Sequence, residues 1–156
     1  MLNEADTRAK LIDPKLHDSG WKEEKIERGR RIPPGRSIDE TGNKKKGTEI
    51  DYILYYDLNQ RVPIAVVEAK KEAIPVHSGM EQAKDDAENY MDVPFAYSTN
   101  GHEIEEFDFT TGTQRTLERF PTPEELRERR ERYSEHKSKE ESAGIDEVKL
   151  LNQLVD

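Results

Sequence analysis

A chain of 156 residues with 32% apolar side chains can enclose one modest core, and its 38% charged content leaves the rest solvated. The absence of cysteine excludes disulfides, thiolate metal sites and a cysteine nucleophile, and suits a reducing compartment. A formal charge of −9 argues against indiscriminate binding to phosphate backbones, whose affinity comes from Lys and Arg displacing counterions.

In chain order, residues 4–18 (EADTRAKLIDPKLHD) predict a helical segment interrupted at Pro14, which lacks an amide donor, and Gly20 ends it. Residues 21–31 (WKEEKIERGRR) read equally as strand or short helix, and 32–47 (IPPGRSIDETGNKKKG) as loop. Bases concentrate over 22–46, ending in Lys44, Lys45 and Lys46, while acids dominate 81–108. A basic face on an acidic protein is one reading of that asymmetry, and a solvated loop is the other.

TEIDYILYYD (48–57) and VPIAVVEAK (62–70) predict a hairpin across LNQR. SGMEQAKDDAENYM (78–91) predicts a helix with Ser78 as N-cap and Glu81 closing a capping box. VPFAYSTNGHEIEEFDFTTG then supplies strands at 93–99 and 102–109, with turns at Asn100-Gly101 and Gly112. Thr122-Pro123-Glu124-Glu125 opens a final helix that is charged almost all round, followed by an apolar stripe at 145, 148, 151 and 154. The expected fold is α/β (α+β): a mixed central β-sheet flanked by helices, carrying a charged C-terminal helical extension. No run approaches the roughly 20 apolar residues of a membrane helix, and the first residues lack an apolar leader core, so a cytoplasmic protein is expected.

Chemistry concentrates where the apolar strand VPIAVVEAKK runs into Glu68 and Lys70. If the hairpin turns at 58–60, Asp51 lies opposite residues 66–68, so Asp51 and Glu68 meet at one end of it. Strand alternation projects Glu68 and Lys70 from one face, about 7 Å apart. Two close carboxylates repel unless a cation lies between them, and Mg²⁺ suits carboxylate oxygens, a backbone carbonyl and water. Lys70 would then orient water or stabilise charge on phosphorus, which makes metal-assisted phosphodiester hydrolysis the reaction these parts can perform. The bland alternative is a salt-bridged strand end. Glu-x-Lys by itself carries little, occurring four times in the chain, and only the copy at Glu68 ends an apolar strand opposite an Asp. The four histidines share no zinc-ligand spacing, and no phosphate-binding glycine loop follows a strand.

Gly47-Thr48-Glu49-Ile50-Asp51 followed by Val66-Val67-Glu68-Ala69-Lys70 resembles the PD-(D/E)xK nuclease signature. NEADTRAKLIDPKLHDSGW, EQAKDDAENY, VPFAYSTNG and FPTPEEL extend the resemblance to the N-terminal nuclease domain of type I restriction enzyme R subunits, over about residues 2–130. The resemblance implies a restriction-endonuclease-like fold and a cytoplasmic enzyme of bacteria or archaea that cuts double-stranded DNA. Asp51, Glu68 and the Ala69 carbonyl would hold Mg²⁺, with Mn²⁺ as a substitute, and Lys70 would be catalytic. Glu4 lies either near the metal or simply at a helix N-terminus that favours an acid. Gln82 would contact DNA, as would the Lys44–Lys46 run. The family's Gln-x-x-x-Tyr pattern is broken by Asp86, and Tyr90 at i+8 is either its substitute or core. ATP would act through a helicase-like motor absent from this sequence, beside modification and specificity subunits. Residues 1–121 would form the nuclease domain and 122–156 a connector toward the motor. Two alternatives stand beside this reading: a cleavage-inactive module that binds DNA or subunits, and an acidic interaction domain.

Overall fold

The computed structural model describes residues 1–34, 41–42 and 47–154, and side chains as far as residue 140. Six strands form one sheet in sequence order: β1 (Ile26–Ile32), β2 (Thr48–Tyr55), β3 (Pro63–Ala69), β4 (Phe95–Thr99), β5 (Ile104–Asp108) and β6 (Thr113–Leu117). All neighbours are antiparallel except β3 and β4. A parallel pair needs a crossover, and a helical stretch at 76–91 supplies it. The sheet is therefore mixed and flanked by helices, as the element order predicted.

Apolar side chains alternate between the two faces. Ile12 and Leu16 of the N-terminal helix, with Trp21, Phe120 and Leu126, cover Tyr52, Leu54, Phe95 and Tyr97 on one face. Met80, Ala83 and Ala87 of the crossover cover Ile50, Ile53, Val66 and Ala96 on the other. Trp21 is fully buried, and its indole N–H donates to the Pro121 carbonyl at 2.9 Å, so its polar tip is satisfied inside the core.

Local corrections follow from backbone chemistry. Pro14 does not break the first helix: Glu4–Thr7 passes through a π-turn at Arg8–Ile12 into Asp13–Asp18, and the wider turn just before Pro14 accommodates the missing donor. Residues 21–31 resolve into a short 3₁₀ turn, Glu23–Lys25, and then β1. The Ser78 capping box does not form. A 3₁₀ turn already begins at Val76, behind Pro75, so Ser78 lies inside helical backbone and its hydroxyl donates to the Pro75 carbonyl at 2.8 Å. The second predicted box does form: Thr122 Oγ1 accepts from the Glu125 amide at 3.1 Å, and Glu125 Oε2 accepts from the Thr122 amide at 3.3 Å.

The final helix, Pro123–Leu154, has little apolar face, yet its first turns pack on the sheet through buried Leu126 and the Arg129 guanidinium. The stripe at 145–154 lies beyond the described side chains. Among the described residues no helix is long and apolar enough to cross a membrane.

Candidate active site

The β2–β3 register sets Tyr52 opposite Val67 and Ile53 opposite Val66, which carries Asp51 and Glu68 to the same end of the hairpin. A bulge near Leu54 and Tyr55 lies at the turn end, away from these acids, and leaves their register intact. Asp51 is 8% exposed, and its Oδ2 accepts from the Ala69 amide at 2.8 Å. The predicted Ala69 position thus meets Asp51 through its N–H. Lys70 donates its own amide to the Thr99 carbonyl, which fixes the strand end, and its Nζ lies 3.9 Å from Glu68 Oε1. Gly79, where the crossover approaches, leaves room for this pair: a Cβ there would come within 2.9 Å of Lys70 Cε and 3.1 Å of Glu68 Cγ.

Glu68 Oε2 is buried without any hydrogen-bond partner, the sole such side-chain atom among the described residues. Burial, and then the charge of Asp51, push the Glu68 carboxyl up to about 8. Burial also raises Asp51, against the opposing pull of the Ala69 N–H. Such uncompensated carboxyls are unstable as a bare pair, and the oxygen-rich donor set suits a hard divalent cation.

Asp86 joins them from the crossover helix. It is 1% exposed and raised to about 7, chiefly by burial and in part by Asp51. It stands where the resemblance leads one to expect a tyrosine, and it accepts from Gln82 Nε2 at 2.8 Å. The same nitrogen reaches Thr48 Oγ1 at 3.4 Å, so the Gln82 amide is occupied within the chain. Tyr90 packs against the crossover-side core. Glu4 accepts from Arg8 Nη1 at 2.8 Å, and the same Nη1 lies 3.5 Å from Asp51 Oδ1. No group of three or more His, Asp or Glu side chains among the described residues is arranged as a ready metal cage.

Lys44, Lys45 and Lys46 fall outside the described residues. Two described members of the basic stretch are engaged locally: Arg28 pairs with Glu23 and Asp13, and Arg30 with Glu27. Arg8 was not singled out from sequence, because its position relative to Asp51 depends on a contact 43 residues long in the chain.

No family model matches the chain. In an alignment 138 positions long that covers 80% of the chain, it is 31% identical to the type I restriction enzyme EcoAI endonuclease subunit of Escherichia coli. A solved fragment assigned as the HsdR subunit of a type I restriction enzyme from Vibrio vulnificus YJ016 is 48% identical over 82% of the chain, with a TM-score of 0.70. The chain is similar to one segment of HsdR-type restriction enzyme subunits. It spans 16% of the length of the Escherichia coli subunit and 25% of the Vibrio chain, so it corresponds to one segment of these HsdR proteins. The sheet and the acids at its β2–β3 end lie within that segment.

Proposed function

We propose that this HsdR segment is the metal-dependent nuclease domain of a type I restriction enzyme, hydrolysing phosphodiester bonds of double-stranded DNA. The observation that carries the reading is Glu68: a buried carboxyl with one unpartnered oxygen, set against Asp51 and 3.9 Å from an ammonium. A strand end built only for stability would satisfy that oxygen.

Asp51 and Glu68, with the Ala69 carbonyl, would hold Mg²⁺ or Mn²⁺, which supplies an activated water and neutralises phosphate charge. The chain's own groups do the rest. The Ala69 amide holds Asp51 in one orientation, and the Glu68 carboxylate keeps the Lys70 ammonium at the site. Lys70 stabilises negative charge growing on the phosphoryl oxygens and orients the attacking water. Gln82, its amide nitrogen donating to Asp86, would approach DNA from the crossover helix. ATP-driven translocation belongs to the remainder of the subunit, and site recognition to modification and specificity subunits.

Nicking of supercoiled plasmid in Mg²⁺ and in Mn²⁺, with Lys70→Ala in parallel, tests the reading. The parent should nick and the variant should lose at least about 100-fold in rate, the usual loss when a charge-stabilising group is removed. Equal nicking by both contradicts the assignment. DNA binding without metal that survives Asp51→Ala, together with no nicking, would mark a cleavage-inactive DNA-binding module instead.

A further inference from the structure

Asp51 has two carboxylate oxygens with different neighbours. Oδ2 is held by the Ala69 amide at 2.8 Å, so Oδ1 is the freer oxygen for a cation, and Arg8 Nη1 stands 3.5 Å from it. The same nitrogen makes a shorter contact, 2.8 Å, to Glu4 Oε1. At 3.5 Å the Asp51 contact is at the edge of hydrogen bonding, whereas the Glu4 contact is a full charge-assisted bond. Lys70 does not share this duty, because its carboxylate partner is Glu68. The Arg8 side chain is 31% exposed, which leaves it room to withdraw toward solvent while keeping Glu4.

We propose that Arg8 is the site's resident cation, standing at Asp51 Oδ1 when no metal is bound and leaving that oxygen when a divalent cation arrives. The proposal deepens the metal-dependent reading given above and rests on it. Arg8 offsets part of the repulsion among Glu4, Asp51 and Glu68 in the metal-free chain, and by the same charge it opposes the incoming cation. Linkage makes the two effects reciprocal: whatever Arg8 contributes to the empty site, the metal must displace.

Calorimetric titration of Mn²⁺ into the wild-type chain and into Arg8→Gln tests this without any nuclease assay. The variant should bind Mn²⁺ roughly tenfold more tightly, in the ordinary range of coupling between adjacent sites. It should also melt at lower temperature than wild type when metal-free. Equal or weaker Mn²⁺ binding by a folded variant overturns the proposal while leaving the metal reading intact. Absence of Mn²⁺ binding by the wild type overturns both. A measurement on the unaltered chain guards against a variant that does not fold. The guanidinium N–H signals of Arg8, followed by NMR as Mg²⁺ is added, should move with saturation as the Asp51 contact is lost. Unchanged signals at saturating Mg²⁺ overturn the proposal.

Discussion

Glu106 and Asp108 on β5, and Asp51 and Glu68 on β2 and β3, are two sets of buried acids on the same sheet, and they are treated in opposite ways. Glu106 is fully buried, yet it accepts from Arg129, Arg115 and the Tyr97 hydroxyl, and Arg129 also reaches Asp108 at 2.6 Å. Burial alone would raise both carboxyls; hydrogen bonds from Arg129, Tyr97 and Thr110 outweigh it and hold both below their ordinary values. Glu68 has one weakly placed ammonium and an oxygen with no partner, and it rises to about 8. Burial is common to both sets, so what separates them is whether the fold supplies enough donors.

The largest effect should come from breaking the satisfied cluster. Arg129→Ala leaves Glu106 and Asp108 buried beside a missing guanidinium and should cost about 3–5 kcal/mol in urea unfolding. A loss below about 1 kcal/mol would mean that Arg115 and Tyr97 suffice without it.

The pH dependence of stability should separate the clusters by sign. Glu68 has its folded value raised from 4.5 to about 8, so its contribution is complete below pH 4.5 and is lost as pH climbs toward 8. Glu68→Gln should remove that decline and stabilise the metal-free protein by about 2 kcal/mol at pH 8. Glu106 and Asp108 have lowered values, so their contribution is present above the ordinary carboxylate range and is lost as pH falls through their folded values. Glu106→Gln should therefore flatten the acid limb of a melting-temperature profile and lower the plateau above pH 4.5 without changing its slope. Parallel profiles for the two variants would erase the distinction.

The smallest effect should come from Thr122→Ala, which removes the cap of the helix that carries Arg129 and should cost about 1 kcal/mol. Since Leu126 and Arg129 anchor the same turns, a cost well above 2 kcal/mol would show that the cap and the ionic cluster fold as one unit.

Much of this contrast was legible in sequence on one side and hidden on the other. Strand alternation and a short hairpin turn were enough to bring Asp51, Glu68 and Lys70 to one end, because period-two geometry leaves little choice of face. The Arg129 cluster was not legible. A helix reading ELRERRERYSEH looks the same whether its arginines are solvated or seated on buried acids, and only the packing of Leu126 turns Arg129 inward. Asp86 was noticed as a departure from a pattern, but its burial depends on how the crossover lies over β2 and β3. Ser78 misled because a capping sequence competes with the 3₁₀ turn that Pro75 starts, and the backbone upstream decided.

We propose that Glu68 has an oxygen without a donor because a divalent cation completes the Asp51–Glu68 end. Carboxyl ¹³C NMR of Glu68, titrated with and without saturating Mg²⁺, tests it most directly. Without metal the signal should titrate near 8, and with Mg²⁺ its midpoint should fall below the ordinary 4.5. A midpoint that stays near 8 at saturating Mg²⁺ would rule out Glu68 as a ligand of the cation.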